Sequence, residues 1–252
     1  MKPARYASSA IRNCLTAAGS VMAIACTLGG TAQAGNVEPV IVEPVVTAPA
    51  NPNWEGFYLG GKVGYAFGGE DRVGFRDPSG TLVERSVGTL EYSGFNYGLR
   101  LGWRGQHNMA ERAFVYGAEL GYDRGNVKDS FSRGYSASVD TNHVLGLRLK
   151  SGFTNKSGNT LFYGILGYVR GDFDYAVNGT TGGDSIDLDT SFNTDGYSIG
   201  LGVEHMLNER WSVNAEWEYL EFDRRRLDDD SGDFTTATPK YNNLQLGVNF
   251  RF

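Results

Sequence analysis

The last nine residues of the chain are Leu244-Gln-Leu-Gly-Val-Asn-Phe-Arg-Phe252, and they alternate between apolar side chains and polar or small ones. Because successive side chains of a β-strand point to opposite faces, one face of this segment is apolar and the other polar. Chain ends of soluble domains usually fray, so they seldom carry such a strand. Lipid-facing and lumen-facing residues must alternate in a transmembrane β-barrel. The segment therefore predicts a membrane-spanning strand.

Seven segments upstream show the same alternation, and with the C-terminal segment they predict eight strands. The fifth is apolar on both faces, so the alternation leaves its register open. About 9–11 residues suffice for a tilted strand to cross a bilayer. The upstream segments are residues 57–67, 95–104, 114–123, 145–150, 161–173, 197–204 and 211–219.

Aromatic residues lie near the ends of the apolar faces, and aliphatic residues lie near their middles. Tyr97 and Trp103, for example, flank Leu99 and Leu101. This distribution is typical of two interfacial girdles around a lipid-facing band. The predicted girdle residues are Phe57, Tyr65, Tyr97, Trp103, Tyr116, Tyr122, Tyr197, Trp211 and Tyr219.

The connections alternate in length, as in bacterial barrels with long extracellular loops and short periplasmic turns. With an even strand count, both ends of the barrel are then expected in the periplasm. The predicted fold is all-β, an eight-stranded antiparallel up-and-down transmembrane β-barrel. Long loops are predicted near 69–92, 124–138, 172–193 and 223–241, and short turns near 105–112, 151–160 and 206–210.

The N-terminal region predicts export. Three basic residues precede an apolar run and the small-residue pattern Ala32-Gln33-Ala34, so residues 1–34 are interpreted as a signal peptide cleaved near Ala34. A lipoprotein signal with Cys26 lipidated is the alternative, but Ala23 stands where a large aliphatic residue is expected. Residues 35–53 are rich in proline and predict an extended periplasmic tether. The barrel then spans residues 54–252, and the predicted location is the cell outer membrane.

Charge and cysteine content exclude several functions. Loss of residues 1–34 would lower the formal net charge from −6 to −9, which disfavours nucleic acid as a partner. Cys14 and Cys26 would leave with the signal, so the mature chain would have no disulfide or thiolate metal site. Gly200-Leu-Gly-Val-Glu-His205 lacks the third glycine of a dinucleotide fingerprint. We predict no cofactor and no bound metal.

Charged residues on the lumen-facing side of the predicted strands are the principal candidate site. An eight-stranded barrel is just wide enough for side chains to fill it, which favours a plug of paired charges. A narrow water path lined by these groups is the alternative. The predicted interior charges are Lys62, Arg100, Arg104, Glu119, Asp123, Arg148, Lys150, Glu204, Glu216, Glu218 and Arg251.

Catalytic candidates are sparse. The sequence places His107 in a turn, His143 on an outward face and His205 at a strand end, and no Ser/His/Asp set arises within one strand or turn. Residues 224–230, Arg-Arg-Arg-Leu-Asp-Asp-Asp, could bind lipopolysaccharide phosphates through arginine or Ca²⁺ through aspartate. A charge run in an exposed loop is more often simply solvated.

Several segments resemble the small eight-stranded outer-membrane barrel family, which includes opacity-type and alphaproteobacterial surface-antigen porin-like proteins. They are Trp54–Tyr65, Val115–Tyr122, Gly200–Glu204, Trp211–Tyr219 and the terminal Phe252. The resemblance covers about residues 54–252. It implies that the outer-membrane insertion machinery reads Phe252 and Phe250 as a signal. Barrel lipid A deacylases are expected to carry a His-x-Ser pair, which neither His143 nor His205 begins.

The leading functional hypothesis is a non-enzymatic structural surface protein of the antigen or adhesion type, with long extracellular loops. Its predicted partners are outer-membrane lipid, lipopolysaccharide, the insertion machinery and a host or environmental ligand at the loops. A narrow porin-like diffusion channel is the second hypothesis. A barrel enzyme acting on lipid is the third.

Overall fold

The computed structural model describes residues 52–133, 135–181, 184–229 and 232–252. The predicted signal peptide, residues 1–34, lies outside the described residues, as does all of the tether except Pro52 and Asn53. Within the described ranges, no helix is long and apolar enough to cross a membrane.

Eight antiparallel strands form a closed ring. Strands β1 to β7 pair in chain order, β7 pairs with β10, and β10 pairs back with β1. The short strands β8 and β9 form a hairpin between β7 and β10. The prediction of an eight-stranded antiparallel up-and-down barrel is therefore confirmed. The strands are β1 (Gly56–Arg76), β2 (Leu82–Asn108), β3 (Ala113–Arg133), β4 (Tyr135–Thr154), β5 (Thr160–Thr181), β6 (Asp184–Met206), β7 (Trp211–Phe222), β8 (Arg225–Asp228), β9 (Phe234–Ala237) and β10 (Lys240–Arg251).

The predicted short connections are short turns. They join β2 to β3, β4 to β5, and β6 to β7 at one end of the ring, which we call the turn end. In the second of these turns, the Gly158 amide donates to the Asn155 carbonyl over 3.0 Å, and the positive φ of Gly158 favours glycine there. We call the half of the ring next to these turns the membrane half.

The register of β5 is now fixed. Tyr163 and Ile165 point inward and are buried, whereas Phe162 and Leu166 point outward and are exposed. Both faces of this strand are apolar because its inward residues pack around Trp54 at the turn end. The alternation alone could not reveal this inner apolar cluster.

The exterior of the membrane half is apolar. Leu99, Leu201 and Leu246 expose 65%, 64% and 60% of their surface, as expected for side chains that face lipid. Phe57 lies directly opposite Trp103 near the turn end, and Tyr65 lies opposite Phe95 at the other border. Of the nine residues predicted as girdles, eight are exposed and Tyr219 is half-buried.

The prediction of long polar loops is wrong for most of their length. The strands continue well past the apolar exterior, so residues 69–76, 124–133 and 172–181 belong to β1, β3 and β5. Between β1 and β2 the turn is confined to residues 77–81. We call this continuation of the ring the outer half.

The two halves of the ring carry their apolar side chains on opposite faces of the sheet. In the outer half the apolar side chains point inward, because the exterior there meets water rather than lipid and apolar burial is favourable. Apolar side chains therefore face outward in the membrane half of a strand and inward in its outer half. The resulting core, which we call the outer core, consists of Ala66, Val73, Leu90, Tyr92, Val127, Ala137, Val139, Val144, Val169, Phe173, Tyr175, Val177, Leu188, Phe192, Leu220, Phe222, Leu227, Ala237 and Tyr241.

Candidate functional site: the charged interior

Ten of the eleven predicted interior charges are buried inside the membrane half. The set is electrically balanced, with five cationic and five anionic side chains. The charged residues occupy alternate positions along their strands. Because successive side chains point to opposite faces, the charged residues face the lumen where the leucines between them face outward. The cations are Lys62, Arg100, Arg104, Arg148 and Lys150, and the anions are Glu119, Asp123, Glu204, Glu216 and Glu218.

Glu216 on β7 lies at the centre of the cluster. It accepts from Lys150 Nζ at 2.7 Å and from Arg100 Nη1 at 3.3 Å. The Tyr163 hydroxyl and the Gln245 amide also donate to it, over 2.5 and 2.9 Å. Four strands besides β7 therefore contribute partners to this one carboxylate. Each partner satisfies a lone pair that would be costly to bury alone.

Glu119 on β3 shares the same cations. Its Oε2 lies 2.7 Å from Lys150 Nζ and 3.9 Å from Arg100 Nη1, and it accepts from the Tyr58 hydroxyl at 2.8 Å. Lys150 thus bridges two carboxylates from β3 and β7. The bridge links opposite walls of the ring across the lumen.

A second chain of ion pairs runs toward the outer half. Lys62 Nζ lies 2.8 Å from Asp123, and Asp123 lies 3.1 Å from Arg148 Nη2. Arg148 Nε in turn donates to Glu218 over 2.8 Å. Gly121 lies beside this chain, and a Cβ atom there would approach the end of the Arg148 guanidinium closely enough to displace it.

The turn end is filled by a separate pair. Arg104 on β2 donates two parallel hydrogen bonds to Glu204 on β6, at 2.9 and 2.6 Å. The Arg104 guanidinium also lies 4.1 Å from the centre of the Tyr58 ring and 5.7 Å from that of Trp54. Trp54 is buried, and its indole N–H donates to the Gly158 carbonyl over 2.8 Å. This indole covers the lumen at the turn end.

Arg251 does not join the cluster. It is half-exposed at the rim, where it donates to the backbone carbonyls of Glu55 and Glu209. Its predicted place among the interior charges is therefore wrong. Arg251 is the last residue of β10, so its long side chain can leave the lumen and bind the adjoining loops.

Uncharged partners were missing from the predicted site. Tyr58, Gln245 and Asn249 carry direct hydrogen bonds to the buried carboxylates. They lie on the same faces of β1 and β10 as the predicted interior charges, so the alternation could have identified them as interior residues. Tyr163 could not be found in this way, because the register of β5 was open.

The terminal aromatic residues pack at the turn end. The Phe250 ring lies 4.9 Å from the Trp211 ring and 5.4 Å from the Phe252 ring. The Phe252 amide donates to the Phe57 carbonyl over 3.0 Å, and its side chain is exposed. These contacts hold an aromatic patch on the outside of the barrel.

The three histidines lie apart from the charged cluster. His107 lies at the end of β2 rather than in a turn, His143 stacks on Tyr122 at 5.8 Å, and His205 bonds to the Thr160 hydroxyl at 3.0 Å. Within the described ranges, no group of three or more His, Cys, Asp or Glu residues could hold a metal ion.

The run 224–230 is partly a strand rather than a loop. Arg225–Asp228 forms β8, with Leu227 buried in the outer core. Arg226 pairs with Asp228 at 2.6 Å and stacks on the Phe234 ring at 3.6 Å. One arginine of the run is thus bound within the hairpin. Asp230 lies outside the described residues.

Comparison with known proteins identifies the family. A family model described as an outer membrane protein beta-barrel domain matches residues 41–252. The chain belongs to this family. The predicted resemblance is therefore confirmed, and the chain is an outer-membrane β-barrel protein.

Two sequence relatives agree with this assignment. The 31 kDa outer-membrane immunogenic protein of Brucella melitensis is 28% identical over 241 residues, which cover 91% of this chain and 97% of that protein. The 22 kDa outer membrane protein of Rhizobium leguminosarum is 31% identical over 211 residues, covering 81% and 82%. Neisserial surface protein A, a solved structure, is 14% identical with a TM-score of 0.41, covering 78% of this chain and 97% of that one.

Proposed function

We propose that this outer-membrane protein is a non-enzymatic structural barrel whose lumen is closed to solutes and whose outer half presents a rigid surface to the environment. The observation that carries the proposal is that described side chains occupy the interior in both halves of the ring. Paired charges lie inside the membrane half, and the outer core lies inside the outer half. The surface-antigen role predicted for long loops is accordingly transferred to the outer half of the barrel.

An aromatic layer supports closure of the outer half. Ring centres of Tyr92 and Tyr241 lie 6.3 Å apart, and those of Tyr241 and Phe222 lie 6.2 Å apart. Phe173 continues the layer, 5.0 Å from Phe222 and 5.7 Å from Phe192. The rings come from β2, β10, β7, β5 and β6, so the layer extends across the interior.

A small cavity lies between the charged cluster and the outer core. A cavity bordered by Asn96, Asp123, Tyr241 and Asn243 measures about 20 Å³. That volume is close to the minimum that holds one water molecule. A space of this size is too small for a hydrated solute.

The outer surface of the barrel suggests which partners surround it. The apolar band would contact lipid, and the exposed residues Arg124 and Arg170 beyond it could meet lipopolysaccharide phosphates. The aromatic patch of Trp211, Phe250 and Phe252 is the proposed contact for the insertion machinery.

A narrow diffusion channel is the second candidate, and one observation favours it. Arg100 Nε and Nη2 and Arg148 Nη1 are buried, yet they have no hydrogen-bond acceptor among the described residues. Buried polar groups of this kind are commonly solvated by water. A connected file of water could carry small ions.

Solute flux and lipid chemistry can be tested together. Purified protein refolded into liposomes is expected to give no swelling in isosmotic arabinose and no release of fatty acid from lipid or lipopolysaccharide. Swelling that depends on the protein would support the channel instead. Hydrolysis that persists after extensive repurification would support a barrel enzyme.

A further inference from the structure

The outer part of β6 pairs with a neighbouring strand on only one side, and on the other side β8 lies near it without pairing among the described residues. β5 pairs with β6 along its whole length, from Thr181 opposite Asp184 to Thr160 opposite His205. On the other side, pairing with β7 ends at Gly196 opposite Phe222. β8 follows β7 but pairs only with β9 among the described residues, and β9 pairs with β1. Residues 187–193 therefore form a strand edge that pairs with no other described strand on this side, and we call it the β6 edge.

The backbone groups of the β6 edge can be assigned a direction. The Asp195 carbonyl accepts from the Asp223 amide over 2.7 Å, so the backbone polar groups of Asp195 point away from β5. No register shift interrupts the pairing of β5 with β6. Because these directions alternate along a strand, the same side of β6 carries the amides and carbonyls of Asp187, Asp189, Ser191 and Asn193. None of these backbone groups is bonded to another described residue.

The outward side chains near this edge are acidic. Asp187 and Asp189 are exposed on β6, and Asp172 and Asp174 are half-exposed on β5. Asp140 on β4 lies directly opposite Asp174, a like-charge arrangement that destabilises an isolated sheet. Arg170 lies 3.8 Å from Asp195, and Lys128 lies opposite Asp140 on β3. Arg224, Arg225 and Arg226 are exposed on the segment that follows β7 and bonds to β6 at Asp195. The negative charge of the edge is therefore confined to its outer end, at Asp187 and Asp189.

The inward side chains of the same strand are apolar. Leu188 and Phe192 are buried in the outer core, together with Phe222 from β7 and Leu227 from β8. A strand added beside β6 would direct alternate side chains toward this group. The edge therefore favours apolar residues on one face of an incoming strand and cations on the other.

The acidic side chains also bear on the identity of the partner. Two copies of the chain joined through their β6 edges would bring Asp187 and Asp189 close to their own counterparts. Like charges directly opposite each other disfavour such pairing. Charged residues on an edge commonly block self-association in this way. A basic segment of a different protein meets no such repulsion.

We propose that the β6 edge binds an extended peptide segment of a partner protein, by addition of a strand whose outward residues are basic and whose inward residues are apolar. Backbone hydrogen bonds would provide affinity, and the alternation would provide selectivity. This inference adds a partner class to the proposed surface role, and it depends on that role only for access from outside the cell. Peptide binding can be measured without reference to conductance, so the two proposals can fail separately.

The test uses fluorescent synthetic peptides and the full barrel refolded in detergent micelles. A ten-residue peptide of alternating lysine and valine is the probe, and a peptide of alternating glutamate and valine is its charge-reversed control. We expect saturable binding of the lysine peptide by fluorescence anisotropy, weakening as salt is raised. Hydrogen exchange should show new protection at Asp187, Asp189, Ser191 and Asn193. Equal binding of both peptides would overturn the proposal.

Variants separate the backbone contribution from the charges. Ser191→Pro removes an edge amide and also the hydrogen bond from the Ser191 hydroxyl to Asp174 on β5. Ser191→Ala removes only the hydroxyl bond and is its control, so the proline variant should weaken the lysine peptide about tenfold relative to Ser191→Ala. Asp187→Asn with Asp189→Asn should weaken it severalfold and reduce its salt dependence. Glu91→Gln with Glu209→Gln removes two exposed charges away from the edge and serves as the matched control. Unaltered binding by both edge variants, or edge amides already protected in the free protein, would contradict the proposal.

Discussion

At the scale of single residues, the buried carboxylate of Glu216 has the most partners. Its cations come from β2 and β4, and its uncharged donors from β5 and β10. Removing one member of a buried ion pair leaves the other charge uncompensated, which typically costs about 3–5 kcal/mol. The stability of the barrel should therefore depend on this one side chain more than on any exposed charge.

Glu216→Gln is expected to lower the free energy of unfolding by about 3–5 kcal/mol, because Lys150 and Arg100 lose a shared anion. Urea unfolding in lipid vesicles, followed by tryptophan fluorescence, measures the change. Glu209→Gln in the exposed turn between β6 and β7 is the control and should alter stability by less than about 0.5 kcal/mol. A loss below about 1 kcal/mol for Glu216→Gln would show that the network contributes little.

Asp71 in the outer half gives a pH-dependent prediction. Burial raises the pKa of this carboxyl from 3.8 to about 6, although the Thr238 amide donates to it over 3.2 Å. The folded state therefore binds the proton more tightly than the unfolded state. Stability should fall as pH rises from about 4 to about 6 and stay low above that range.

Asp71→Asn removes this titration and keeps an acceptor for Thr238. We expect the variant to be more stable than the parent at pH 7.5 and nearly equal to it at pH 4, by urea midpoints at each pH. A variant that is less stable at pH 7.5 would show that the ionised carboxylate is stabilising where it lies.

The alternation of side chains along each strand determined which residues of the charged interior could be predicted from the sequence. Alternation placed Arg148 and Glu218 on inward faces correctly, because each position depends only on local spacing. It could not pair them, since β4 and β7 are not neighbours in the sheet. Arg251 was misplaced because parity does not constrain a long side chain at the last position of a strand.

At the scale of elements, each long strand changes its environment part-way along. In β5, Leu166 faces lipid and Phe173 faces the outer core, although both are apolar. The sequence showed polar residues between apolar segments and predicted loops there. It did not reveal that Phe173, Tyr175 and Val177 continue the alternation on the inward face, because a membrane strand was expected to place its apolar residues outside.

Phe173→Ala should lower the local stability of the outer half without changing that of the membrane half. Loss of a buried phenylalanine typically costs about 3–5 kcal/mol. Amide exchange in residues 169–177 and 188–192 should accelerate, while exchange in residues 97–103 stays slow. Phe162→Ala, on the lipid-facing side of the same strand, is the control and should leave the outer half protected. Equal acceleration in both halves would indicate one cooperative unit.

At the scale of the whole molecule, ring closure leaves no unpaired edge in the membrane half. β10 pairs with both β1 and β7, so the backbone polar groups of all eight strands are paired at that level. Open edges cannot be tolerated in hydrocarbon, whereas the β6 edge can be tolerated because it lies in the outer half. Strand number and topology were predictable from the sequence, since each membrane segment carries its own signal.

A closed ring should resist sodium dodecyl sulfate at room temperature. Unheated protein is expected to migrate differently from boiled protein on a denaturing gel, because the folded barrel is more compact and binds less detergent. Glu216→Gln should lower the temperature at which the folded band disappears. Identical mobility before and after boiling would argue against a closed barrel.

Side chains fill the lumen in both the membrane half and the outer half, so the parent protein should not conduct. The decisive measurement is unitary conductance in planar lipid bilayers, with the parent protein compared with a variant that carries both Arg100→Ala and Arg148→Ala. No stable unitary openings are expected for the parent protein across repeated insertions in 1 M KCl. Stable openings of the parent protein whose size or ion selectivity changes in the variant would show instead that the interior is a conducting path.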